Sequence, residues 1–130
     1  MIKLNSALIG LGNIGLNYDF HSKNILTHAK SLFLNKKINF LYGIDKNIKQ
    51  RIRFYKKYKV NTSNNIKKIK DLNNINFFIV SVNTSSQYNI LKKIVKLKKL
   101  KIILIEKPCG KNYGEFLKIK NLFEKYKKKL

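Results

Sequence analysis

"SALIGLGNIG", Ser6 to Gly15, runs small and apolar residues straight into three glycines spaced G-x-G-x-x-G, and its reading decides the fold. The hexapeptide gains meaning from context: an apolar strand before it and a helix-like segment after it are what a dinucleotide site requires. Gly10 permits the tight turn, Gly12 the close approach of backbone to a pyrophosphate, and Gly15 close packing of helix on strand. The phosphates would lie on open amides at the start of the following helix. Gly10, Gly12, Asn13, Ile14 and Gly15 are the candidate contacts; the competing reading is an ordinary glycine-rich turn.

Outward from that turn, apolar runs alternate with segments of helical period, the pattern of βαβ units and a parallel sheet. "SALIG" closes a first strand at Gly10; "INFLYGID", Ile38 to Asp45, "INFFIVSV", Ile75 to Val82, and "KIILIE", Lys101 to Glu106, read as three more. Between them "KNILTHAKSLFL", "NIKQRIRFYKKY" and "SSQYNILKKIVKLK" repeat apolar residues at three and four, so each lays a stripe on a sheet. "NNIKKIKDL" adds a helix of a turn or two, and "GEFLKIKNLFEKYKKKL" a closing amphipathic helix whose late lysines suit the negative end of the helix dipole. With no linker, no repeat and one proline, residues 1–130 read as a single α/β domain: a Rossmann-type, doubly wound, mainly parallel sheet in three αβα layers.

The length and the 44% hydrophobic content suffice for one packed core. No apolar run approaches the roughly 20 residues of a membrane span, and the N-terminal apolar stretch is broken by glycines and Asn13, so a cytoplasmic protein without membrane partners is expected. Cys109, the single cysteine, allows no internal disulfide and fits a reducing compartment. The net charge of +23 invites a nucleic-acid reading, but of 29 basic residues only Arg51 and Arg53 are arginine, the residue whose planar donors read bases and phosphates. Lysine spread along every segment with isoleucine and asparagine is what an AT-rich coding sequence imposes on any fold, and nonspecific attraction of polyanions is its expected consequence.

Two further places carry chemistry. Asp45 ends the second strand, where a carboxylate accepts hydrogen bonds from the adenosine ribose and repels a 2′-phosphate, favouring NAD; Lys46 beside it leaves NADP open. Gly15 and Asp45 lie 30 residues apart, against about 20 in the usual unit, so an extra loop is expected before or within the first helix. "LIEKPCG", Leu104 to Gly110, ends the last strand on Glu106, Lys107 and Pro108. Proline keeps Lys107 out of helical geometry, which aims the side chain. Beside a nicotinamide ring such an amine can move the proton that accompanies hydride transfer, with Glu106 orienting it; a surface pair at a strand end is the alternative. Cys109 reads as a small buried thiol, and His21 and His28 as loop or packing residues. No metal site is read.

In this order, "GLGNIG", "YD", "THA", the strand ending in Asp45, "RFYKKY", "VSVNTSSQY" and "IEKPCGKNYGE" resemble the Gfo/Idh/MocA oxidoreductases, the glucose-fructose oxidoreductase and inositol dehydrogenase group, over essentially the whole chain. The resemblance implies NAD(P) as cofactor, a sugar or polyol substrate, and Lys107 as the catalytic residue near nicotinamide. The family's T-P-x-x-x-H pattern falls on Val82, Asn83 and Gln87, so all three of its residues are replaced; Asn83 and Thr84 are still expected at the cofactor. The family's second domain, with its Asp/His substrate pair, is expected to be absent here. The last strand would then be an uncovered edge seeking a second-domain chain, a further copy or another partner. Two other function classes compete: a noncatalytic nucleotide-binding module or remnant, and a lysine-driven polyanion binder.

Overall fold

Residues 4–127, which the computed structural model describes, alternate strand and helix: β1 (Leu4–Ile9), α1 (His28–Leu34), β2 (Ile38–Ile44), α2 (Ile48–Tyr58), β3 (Asn61–Ser63), β4 (Phe77–Val80), α3 (Thr84–Ile94), β5 (Ile102–Ile105) and α4 (Tyr113–Lys125). All strand pairs are parallel, in the order β3-β2-β1-β4-β5. The chain winds from β1 outward to β3, then returns past β1 to β4. That reversal puts the switch point between β1 and β4, where open α/β sheets bind ligands beyond the carboxyl ends of the strands.

The period of two along the central strands divides the core. Ala7, Ile9, Phe78 and Val80 face one way, against Leu91 and Ile94 of α3 and Ile119 and Phe123 of α4. Leu8, Phe77 and Ile79 face the other way, against Ala29 and Leu32 of α1 and Phe54 and Tyr58 of α2. Strands buried on both faces read as continuous apolar runs. The result is the expected αβα sandwich.

Each helix starts on a side chain that accepts an orphan amide: Thr27 from Lys30 N, Asn47 from Lys49 N, Asn83 from Ser86 N and Asn112 from Glu115 N. The asparagine-rich composition thus serves helix starts as well as surface.

Several boundaries differ from expectation. Each of the four anticipated strands loses a residue or two at its ends, the largest change being Phe77–Val80 in place of Ile75 to Val82. A fifth, β3, is three polar residues with no apolar signal, paired at the edge with β2. "NNIKKIKDL" forms one 3₁₀-type turn, Ile66–Lys68, and a second, Leu72–Asn74, starts on its last residue.

The first helix begins at His28 instead of Lys23, because a built loop precedes it. Asp19, fully buried, accepts from Leu26 N (2.7 Å), Thr27 N (2.9 Å) and the Thr27 hydroxyl (2.8 Å). Lys30 Nζ donates to the carbonyls of Ser22 and Asn24, both at 2.6 Å, and Lys57 to that of Phe20. This is the extra loop that the Gly15–Asp45 spacing requires. Burial alone would raise the Asp19 pKa, but the bonds from Leu26 and Thr27 and the charge of Lys30 hold it below the ordinary 3.8. Burial first, and then the charge of Asp19, push the Tyr58 phenol up to about 12, so it stays neutral.

β5 forms one edge of the sheet. Ile103 and Ile105 pack into the α3/α4 core, while Ile102 and Leu104 stay 43% and 40% exposed on the opposite face, which α1 and α2 do not reach.

Two measurements follow from this architecture. Asp19→Asn should cost roughly 2 kcal/mol at neutral pH, since it weakens charge-assisted bonds and buries an amide with fewer acceptors. Because the folded pKa of Asp19 is depressed, its contribution is complete above pH 3.8 and lost as the pH falls through the lower folded value, so urea unfolding across the acid range should show a shallower slope in the variant. In a parallel edge strand every second amide points outward. Amide exchange in the isolated chain should therefore be fast at Ile103 and Ile105 and slower at Leu104; equal protection from Ile102 to Ile105 would show that something covers the edge.

Candidate functional site

At Gly10 three strands meet. Its N–H donates to Ile44 O at 2.8 Å, and Ser81 N–H donates to Ile9 O at 2.7 Å, so the ends of β1, β2 and β4 are held level. Gly10 has φ +98°, and a Cβ there would lie 2.2 Å from the carbonyl oxygen of Ser81. Gly15 is buried, and its Cβ would lie 2.2 Å from the carbonyl oxygen of Gly10. Its role is packing rather than an exposed ligand contact. Gly12 differs from both: its φ is −80°, and nothing lies within 4 Å of where its Cβ would be. Neither backbone nor packing requires glycine at position 12, whereas an approaching phosphate does.

The helix-like segment after the glycines is short and stands apart from α1. It is one wide turn, Asn13–Asn17, closed by Leu16 and Asn17 N–H on Gly12 O (2.8 and 3.1 Å) and Tyr18 N–H on Asn13 O (3.0 Å). Asn13 and Ile14 are exposed on it. Anion attraction here rests on loop amides, without the dipole of a long helix behind them.

Asp45 stands at the end of β2 with both oxygens engaged: Oδ2 accepts from Leu11 N at 2.8 Å and Oδ1 from Asn47 N at 2.7 Å. The carboxylate ties the glycine turn to the start of α2, and Asp45 lines the cleft beside them. Arg51 Nη1 donates to the carbonyls of Asp45 (2.7 Å) and Lys46 (2.8 Å), fixing the chain just beyond. The cleft, about 560 Å³, is lined by Gly10, Gly12, Asp45, Ser81, Asn83 and Ile90 among others, with Lys46 and Lys93 also on its wall. The Ser81 hydroxyl is buried there with no hydrogen-bond partner among the described residues. An orphaned hydroxyl and an open space beside Gly12 fit a polar ligand whose phosphates pass over the turn.

Asn83 lines this cleft, whereas Thr84, the first residue of α3, does not. Reading the sequence missed Ser81 and also Asn64 and Asn65, which follow β3. Ser81 was open to discovery as the first residue past an apolar strand; Asn64 and Asn65 were not, since β3 has no apolar signal.

Glu106, Lys107 and Pro108 follow β5 outside the cleft lining, and the Lys107–Pro108 peptide is cis. Glu106 N–H on Val80 O at 2.9 Å sets this loop level with the ends of β4 and β1. Sequence reading assigned Glu106 to orient Lys107. Instead, Glu106 Oε1 pairs with His28 Nε2 at 2.6 Å, and Lys107 is exposed. His28 therefore packs beside the end of β5, because the anchored segment before α1 delivers its first residue there. Gln87, 1% exposed, stands where the resemblance placed histidine; its Nε2 donates to Glu106 O (3.0 Å) and Pro108 O (3.1 Å), and its Oε1 accepts from Gly110 N (2.8 Å). Cys109 is half-buried; burial and then Glu115 push its thiol pKa up, which makes it a poor nucleophile. Among the described residues no cluster of three potential metal ligands occurs, and no helix is long and apolar enough to cross a membrane.

Comparison with solved structures gives the same fold. A putative myo-inositol dehydrogenase from Sinorhizobium meliloti 1021 superposes with a TM-score of 0.79 at 16% identity, over 98% of this chain and 35% of that one. The dehydrogenase WlbA from Chromobacterium violaceum, in complex with NADH and UDP-GlcNAcA, gives 0.73 at 13% identity, over 98% and 34%. KijD10, a 3-ketoreductase from Actinomadura kijaniata in complex with NADP and TDP-benzene, gives 0.72 at 10% identity, over 98% and 36%. The chain spans about a third of the length of these proteins. The search of curated proteins found no match. A family model described as "Oxidoreductase family, NAD-binding Rossmann fold" covers residues 4–130. The chain belongs to the Gfo/Idh/MocA oxidoreductase family and is its NAD-binding Rossmann domain.

Proposed function

We propose that this chain holds NAD(H), with its pyrophosphate over Gly10–Gly12 and its adenosine ribose at Asp45, in an oxidoreductase that acts on a sugar or polyol. The open space at Gly12 carries the reading, because folding does not account for a glycine there. The exposed amides and side chains of Asn13 and Ile14 would flank the phosphates, and Asn83 the far wall of the cleft. The charge on Asp45 favours NAD over NADP. The dinucleotide supplies hydride chemistry when bound. Lys107 is the residue to hold or give up the proton on the substrate oxygen, and Glu106 and Pro108 shape the loop that presents it. A further domain, a separate chain or a second copy would supply the substrate face and cover Ile102 and Leu104 at β5.

A noncatalytic role is the second reading, favoured by the place of Glu106, Lys107 and Pro108 outside the cleft lining and by the pairing of Glu106 with His28 rather than Lys107. The two readings part at Lys107. In an assembled enzyme Lys107→Ala should lower turnover by about 10²-fold or more while changing NADH affinity little; an unchanged rate supports the noncatalytic module.

Titration of NADH, followed by its own emission at low and high salt, tests the site itself. Saturable binding that persists in salt is expected, and Gly12→Val should abolish it while unfolding within about 0.5 kcal/mol of the parent. Gly10→Ala should lose roughly 2 kcal/mol or more of stability, through both the positive φ and the clash with Ser81. Binding that vanishes with salt, or is equal in the Gly12 variant, would leave only the lysines as the attraction.

A further inference from the structure

The segment carrying Lys107 is gripped on two sides by residues to which neither composition nor motif gave a role at the site. Gln87 reaches it from α3 and holds main-chain atoms on both sides of Lys107: the carbonyls of Glu106 and Pro108, and the amide of Gly110. All three bonds come from one amide side chain that is 1% exposed, so losing it takes their bond from the buried Gly110 amide and from two part-buried carbonyls. His28 reaches it from the start of α1 and takes the side chain of Glu106, one residue before Lys107. With side-chain exposures of 18% and 25%, this pair is shielded enough to be more than a rim contact. Exposed Lys107 has no ion pair of its own among the described residues, so its main-chain position is set by its neighbours' bonds.

We propose that His28 and Gln87 are positioning residues for Lys107, His28 acting through the Glu106 carboxylate and Gln87 through the main chain, so that the Lys107 amine meets the bound dinucleotide only when both grips are made. The inference rests on the dinucleotide reading above. It predicts that the grips govern contact at Lys107 and leave the adenosine cleft unaffected.

Lysine footprinting separates the two. The intact chain is trace-labelled with acetic anhydride with and without saturating NADH, and each lysine is read by peptide mass spectrometry. Lys46 and Lys93, on the wall of the cleft, report dinucleotide binding; Lys107 reports the proposal. In the parent chain all three should be protected at least about threefold. In His28→Ala and Gln87→Leu the protection of Lys107 should disappear while that of Lys46 and Lys93 remains. His28→Gln, which can place an amide N–H near the Nε2 position, should restore it. A merely structural role would lower the melting temperature without this selective loss or its rescue. If Gln87→Leu fails to fold, the two His28 variants decide alone. Equal protection of Lys107 in parent and variants, with Lys46 and Lys93 protected, overturns the positioning proposal and leaves the dinucleotide reading standing. Loss of protection at Lys46 and Lys93 in the parent overturns both.

Discussion

A side chain at residue 10 would have its Cβ 2.2 Å from the carbonyl oxygen of Ser81, and the architecture of the carboxyl-end rim depends on its absence. Because Gly10 has none, β1 and β4 come level at their ends, the glycine turn folds back over them, and the Cα of Gly15 packs against the Gly10 carbonyl. That same close approach leaves the Ser81 hydroxyl buried beside the turn without a partner. One missing methyl group thus sets how closely the three strand ends meet at the rim of the cleft.

Anchoring on the other side of the sheet is ionic. Asp19 holds Thr27, Thr27 caps α1, and the first residue of α1 is the histidine that grips Glu106. A buried carboxylate is tolerable only when its bonds replace the lost water, and three donors do so here. In a chain of net charge +23, most of the few acidic residues would be expected at the surface balancing lysines. Asp19, Asp45 and Glu106 instead hold loops together, with main-chain amides or a histidine as partners. Their scarcity makes each position informative.

The layers, the sheet direction and the switch point were legible because buried parallel strands and amphipathic helices leave different periods in the sequence. The glycine turn and Asp45 were legible because their spacing to strand ends carries the chemistry. β3 was not, since three polar residues at an edge carry no apolar signal. Neither were His28 and Gln87: nothing local ties them to residue 106, and only the packing of α1 and α3 around β5 brings them there. The pairing of Glu106 with Lys107 went astray for a related reason. Successive side chains in extended backbone point to opposite sides, so neighbours in sequence are poor partners.

Position 12 has a consequence for the history of the chain. Gly10 and Gly15 would be retained by any lineage that still needed to fold, since larger residues collide with main chain at both. Gly12 has no such protection: nothing lies within 4 Å of where its Cβ would stand, so folding alone would let it drift. A descendant that stopped using a dinucleotide would be free to lose the middle glycine while keeping the outer two.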